Sequence, residues 1–101
     1  MKTNQVLFLT SFEECLFREL NKNQNQYDAT ASSNETKNLI IGITEQFMNI
    51  GLLSKLSRNE NIIYFEFSKL GKKLLSKKAI FADAALPSGI YPDPVYIYIL
   101  D

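Results

Sequence analysis

The sequence predicts an α+β fold in which helices pack on a two- to three-stranded antiparallel sheet, followed by a C-terminal extended strand. Three observations carry this expectation. Residues 36–75 read in order as an amphipathic helix, a glycine stop, two β runs around a polar turn, and a basic helix. Residues 10–14 hold overlapping helix-start signals ahead of an apolar stripe. Residues 95–100 join β-branched and aromatic side chains in one unbroken run.

The first helix is expected over 10–21. Thr10 with Glu13, and Ser11 with Glu14, have the spacing of a capping box, in which a hydroxyl accepts an early backbone N–H and a glutamate reaches back. Phe12, Cys15, Leu16 and Leu20 then fall on one stripe. Val6 to Leu9, just before it, read as a short strand or as an extension packing on the core, with an irregular or helical extension preferred. Residues 21–34 are rich in Asn, Gln and Ser, which compete with helix for backbone hydrogen bonds, so they read as a short, poorly packed helix or a plain loop.

The second clear helix spans 35–50, capped by Ser33 or Asn34 and stopped by Gly51. Leu39, Ile43, Phe47 and Ile50 form its apolar stripe, with Ile40 beside it. Lys37, Asn38, Ile41, Thr44, Glu45 and Met48 are left facing outward. Two strands, 52–57 and 61–68, flank a turn at Arg58, Asn59 and Glu60, and Ile63, Phe65 and Phe67 share one face. That alternation assigns the two phenylalanines to the core rather than to stacking on single-stranded nucleic acid. A helix over 69–78 follows, capped by Ser68, with Leu70, Leu74 and Leu75 buried and Lys69, Lys72, Lys73, Lys77 and Lys78 in water. Beyond residue 80, Leu86-Pro87-Ser88-Gly89 and Tyr91-Pro92-Asp93-Pro94 are turn chemistry.

The chain has 101 residues, 46% of them hydrophobic and 22% charged, enough for a single core. It divides into a domain at 1–82 and a Pro/Tyr-rich extension at 83–101, packed on the domain or on a partner. Eleven basic and eleven acidic residues cancel, yet seven of the basic ones fall between 51 and 78 against only Glu60 and Glu66. The single cysteine, Cys15, allows no internal disulfide and reads as a small core residue. No apolar run has the length of a signal core or a membrane span, so the expectation is a cytoplasmic protein without membrane contact. The glycosylation sequon at Asn34 reads as chance in that setting.

Catalytic chemistry finds little to work with. With no histidine and one cysteine, His-based acid–base catalysis, Cys–His attack and Cys/His zinc sites have no residues to build on. Glu13 and Glu14 are adjacent and point to different sides of their helix, and Gly42, Gly51, Gly71 and Gly89 make no phosphate loop. The expectation is a non-enzyme with no cofactor and no metal.

Residues 9–20 (LTSFEECLFREL) resemble the opening helix of winged helix-turn-helix regulators of the MarR and PadR type. Residues 47–55 (FMNIGLLSK) are similar to their junction between recognition helix and wing, and residues 64–75 (YFEFSKLGKKLL) to the end of the wing and the next helix. The resemblance covers about 9–76 and leaves 21–34 unmatched. It implies that helix 35–50 is the recognition helix, with Glu35, Thr36, Lys37, Asn38 and Ile41 nearest a DNA groove. It also implies that the tip Arg58-Asn59-Glu60 approaches the minor groove or backbone. The DNA-binding set so implied is Thr36, Lys37, Asn38, Ile41, Lys55, Arg58, Asn59, Lys72 and Lys73. Glu35 departs from the family, since a carboxylate repels phosphate even where it can accept from cytosine.

Two readings follow. One is a small transcriptional regulator that binds double-stranded DNA as a homodimer, paired through the first helix and the C-terminal tail. The other is a protein-interaction module on the same scaffold, of the inhibitor or adaptor kind that mobile elements encode, for which zero net charge and outward Ile41 and Met48 are better suited. In that reading the apolar tail 91–100, which opens on Tyr91 and closes on Leu100, can add a strand to another protein. Each candidate residue also has a plainer role: Lys37 and Asn38 as a solvated helix face, the lysines as solubilising charge.

Overall fold

The computed structural model describes residues 5–82 and 95–100, and the turn chemistry expected around 86–94 lies outside them. Nine elements follow in order: β1 (Gln5–Thr10), α1 (Ser11–Lys22), β2 (Gln26–Asp28), α2 (Asn34–Asn49), β3 (Leu53–Asn59), β4 (Ile62–Phe67), α3 (Lys69–Leu75), β5 (Ile80–Ala82) and β6 (Val95–Leu100). They form an α+β structure with two antiparallel three-stranded sheets, ordered β1-β6-β5 and β2-β4-β3. Among the described residues no helix is long and apolar enough to cross a membrane.

The first sheet decides two expectations. Residues 5–10 are a strand rather than an irregular or helical extension, because β6 supplies a ladder partner from Gln5↔Leu100 to Thr10↔Val95. The 95–100 run is the central strand of its sheet, paired with β1 on one side and β5 on the other. Of the expected alternatives for the tail, packing on its own domain is the one seen for Val95–Leu100: β1 pairs with it along its whole length and β5 along 95–97. Residues 91–94 lie outside the described residues.

Thr10 caps α1 with the expected box: its Oγ1 accepts from the Glu13 N–H at 3.2 Å, and Glu13 Oε1 accepts from the Thr10 N–H at 2.8 Å. The buried side of α1 is turned from the expected stripe. Leu16 and Leu20 are buried, but Phe12 and Cys15 are exposed and Phe17 takes the centre. Phe17 meets Phe47 and Phe67 edge-to-face, each at 5.7 Å between ring centroids, so α2 and the end of β4 draw the helix round.

Residues 21–34 take a form that neither a helix nor a plain loop describes. Gln26–Asp28 pair with β4, and the Ala29 N–H donates to the Asn61 carbonyl at 2.9 Å. A turn at 30–33 follows, held by Asp28 Oδ1, which accepts from the Thr30 N–H and hydroxyl. No helix forms among residues 23–33, and a single turn leads into α2. Short polar side chains satisfying the backbone locally are the reason.

Ser33 caps α2. Its buried residues are Ile40, Ile43, Thr44 and Phe47, while Leu39 and Ile50 are exposed, so the core face is shifted from the expected stripe and takes in Thr44. Thr44 is accommodated by donating its hydroxyl to the Ile41 carbonyl at 2.8 Å.

Gly51 ends α2 as expected, at φ +88°. The Gly51 N–H donates to the Met48 carbonyl and the Leu52 N–H to the Phe47 carbonyl, the paired bonds of a Schellman turn. Leu52 then enters the core, and the start of α3 closes over it. The Ser68 N–H donates to the Leu52 carbonyl at 3.0 Å, the Ser68 hydroxyl donates to the Gly51 carbonyl, and Ser68 Oγ accepts from the Gly71 N–H. A β-carbon at Gly71 would lie 2.1 Å from the Leu52 oxygen. α3 ends at Leu75, so Lys77 and Lys78 follow the helix rather than belong to it.

Two glycines therefore separate close approach from helix propensity. Gly71→Ala should lower the unfolding free energy by about 2–4 kcal/mol, because the obstacle is backbone. Gly42→Ala, in the interior of α2 with nothing within 4 Å of its added β-carbon, should raise it by about 0.5–1 kcal/mol. Urea denaturation of both variants checks the pair.

Candidate nucleic-acid interface

The expected site is divided by strand parity. The two-residue turn is Glu60-Asn61, with Glu60 at φ 55°, so Arg58 and Asn59 belong to β3 rather than to the tip. Register places Arg58 opposite Ile63 and Leu56 opposite Phe65, on the face that looks toward α2. Lys55 opposite Glu66, Ser57 opposite Tyr64, and Asn59 opposite Ile62 occupy the other face. Lys55 Nζ pairs with Glu66 Oε2 at 3.1 Å there, both exposed.

Between α2 and the hairpin lies a groove of about 170 Å³ lined by Ile41, Thr44, Glu45, Leu56, Arg58 and Ile63. Lys37 and Asn38 sit four and three residues before Ile41, on the same side of α2 one turn earlier. The structure brings Ile41 and Arg58 together in one helix–hairpin groove, and helical spacing puts Lys37 and Asn38 on the Ile41 side of α2. Glu45, one turn beyond Ile41, brings an anion into it.

The other members lie elsewhere. Thr36 lines a second groove with Phe12, Glu19 and Tyr27, between α1, β2 and α2, and accepts from the Ser33 hydroxyl at 3.0 Å. Lys72 and Lys73 stand exposed on α3. Lys37 faces Asp28 across the turn before α2. The Thr30 hydroxyl and N–H hold the Asp28 carboxyl below its ordinary range, with Lys37 adding a smaller Coulombic pull.

The densest polar cluster is one the sequence reading missed. The buried Tyr98 hydroxyl, from β6, donates to the Glu14 carboxylate at 2.7 Å and accepts from the Arg18 guanidinium at 2.6 Å. Arg18 Nε donates to Glu14 at 3.1 Å, and its terminal nitrogens donate to the Leu75 and Lys77 carbonyls at 2.8 and 3.0 Å. Burial, then the hydrogen bond and charge of Glu14, push the Tyr98 phenol up to about 12. Burial pulls the Arg18 guanidinium down, but the bonds to Glu14 and Tyr98 outweigh it and the net shift is upward. Arg18 is committed to the open carbonyls at the end of α3, so the cluster ties α1, α3 and β6 together. Glu14 and Arg18, four apart on one helix, form the ion pair that spacing favours; their meeting with Tyr98 has no local signal.

A raised phenol gives a definite alkaline signature. Stability from keeping Tyr98 neutral is complete below pH 10 and is lost as pH rises from 10 towards 12, since only the unfolded chain then releases the proton freely. Tyr98→Phe should cost about 2 kcal/mol at neutral pH. The gap between wild type and variant should narrow across pH 10–12 in urea melts.

Comparison with known protein families, curated proteins and solved structures gave no match to this chain.

Proposed function

We propose that this chain is a small winged-helix protein that binds double-stranded DNA as a regulator, with α2 as its recognition helix. The observation that carries the reading is topological. α2 passes through the Gly51 turn into β3 and β4, and β2 completes the sheet in the order β2-β4-β3. That arrangement sets a 16-residue helix beside a twisted hairpin, with Arg58 reaching toward the helix. Lys37 and Asn38 on the early turns of α2 then have the side-chain chemistry to contact phosphate and adenine edges. No cofactor enters the reading.

A second reading, a protein-interaction module on the same scaffold, is favoured by one specific feature. Arg58 shares its groove with Glu45, and Lys55 on the opposite face of the hairpin is already paired with Glu66. A surface of mixed sign suits a polar protein partner better than a polyanion.

Fluorescence anisotropy with random-sequence duplex DNA at low salt separates the two. The regulator requires binding that weakens steeply with salt, and Lys37→Glu combined with Arg58→Glu should reduce it by at least about tenfold. The melting temperature of the double variant should stay within a few degrees of wild type, since both substitutions lie at the surface. Absence of duplex binding at low salt, or binding untouched by the double substitution, refutes the DNA reading.

A further inference from the structure

We propose that β1 pairs edge to edge with β1 of a second copy of this chain, antiparallel about a two-fold axis at Leu7. The Thr10 N–H fixes which way the β1 backbone points. It donates to Glu13 Oε1, so it turns away from β6. Opposed residues in an antiparallel pair alternate between hydrogen-bonded and non-hydrogen-bonded. Val6 and Phe8 therefore turn away with Thr10, while Gln5, Leu7 and Leu9 bond to β6. The outward N–H and C=O groups of Val6 and Phe8 have no partner among the described residues. They make two donors and two acceptors along an exposed edge.

The other sheet edges are guarded, and this one is not. β2 and β5 are three residues each. β3 carries Lys55 and Arg58 and a register shift between Leu53 and Lys55. Short length, charge and irregularity are the usual means by which an edge avoids pairing. β1 runs six residues in unbroken register with β6, and its sequence QVLFLT holds no charge and no proline. Lys77 and Lys78 group with Ile80, Ile97 and Ile99 on β5 and β6, not with β1.

The pattern of open groups selects a copy of the same strand. Residues 6 and 8 are symmetric about Leu7, so a two-fold axis there sets Val6 of each chain opposite Phe8 of the other. One symmetry operation then satisfies all four outward groups on each chain, and the contact closes at two copies. A register centred on Phe8 would call on the Thr10 N–H, which Glu13 already holds. Val6 and Phe8, 44% and 61% exposed on the same side of the sheet, become cross-strand neighbours between the copies. The contact is a short ladder with two apolar pairs, so the dimer is weak and concentration-dependent. This inference stands apart from the DNA reading.

Disulfide trapping on the full chain reads both the contact and its register. A Cys15→Ser background is used, because Cys15 is an exposed free thiol. In the proposed pairing Leu7 faces Leu7 of the second copy as a non-hydrogen-bonded pair, about 4.5 Å between Cα atoms and within disulfide reach. Phe8 lies diagonally from its own copy at roughly 8 Å or more, beyond that reach. Under mild oxidation Leu7→Cys should form linked dimer at least about tenfold faster than Phe8→Cys, as a preformed contact raises the effective concentration. Random collision gives the opposite order, since Phe8 is the more exposed of the two. Equal rates, the opposite order, or a Leu7→Cys chain that stays monomeric each overturn the proposal. Val6→Pro takes away an outward donor and no bond to β6, so adding it to Leu7→Cys should slow linkage to the Phe8→Cys rate with circular dichroism unchanged. Linkage untouched by Val6→Pro also overturns the pairing and gives the contact to another surface. The rate order of the two cysteines decides the matter even where proline disturbs the strand.

Discussion

The contact on which the structure turns is the meeting of the Gly51-Leu52 turn with the first turn of α3. A helix end leaves carbonyls without partners, and here they are satisfied from two directions. The Schellman bonds of Gly51 and Leu52 close the end of α2, and Ser68 fastens the Gly51 and Leu52 carbonyls to α3. Gly71 has no side chain at the one position where α3 must touch the Leu52 backbone. Because β3 and β4 lie between the two fastened points, this junction also sets how the hairpin leans on α2. The groove holding Ile41 and Arg58 follows from it.

A second tie brings the C-terminal strand to the helices. Burying Glu14 and half-burying Arg18 takes charge out of water, a cost returned only when the donors and acceptors are matched. Tyr98 supplies the missing match, since one hydroxyl both donates to the carboxylate and accepts from the guanidinium. Arg18 adds two backbone carbonyls at the end of α3. The arrangement joins β6 to α1 and to the end of α3. It also explains why β6, rather than a partner, lies along β1.

Charge placement is where fold and function meet least simply. Within the basic stretch 51–78, strand alternation and pairing divide the two cations of the hairpin, Lys55 and Arg58, while the other five lie on or after α3. Arg58 and Lys55 are three residues apart in a regular strand and must face opposite ways. Glu66 pairs with Lys55, and Glu45 lines the same groove as Arg58.

Local signals alone settled much of the architecture: the Thr10 cap, the Ser33 cap, the glycine stop at 51, the Ser68 cap, and the inward set Ile63, Phe65 and Phe67. Each depends on atoms within about four residues, so each is legible in the chain. Of the candidate site, Lys37, Asn38 and Ile41 share one side of α2 by helical spacing, and the placement of Arg58 beside Ile41 required the true turn at Glu60-Asn61. The strand at 5–10, the strand at 26–28, the rotation of α1 onto Phe17 and the Glu14–Arg18–Tyr98 cluster were decided by partners distant in sequence. A β ladder is completed only by another strand, and a helix chooses its buried side by what stands opposite. Those choices belong to the tertiary structure because no single segment contains both halves of the contact.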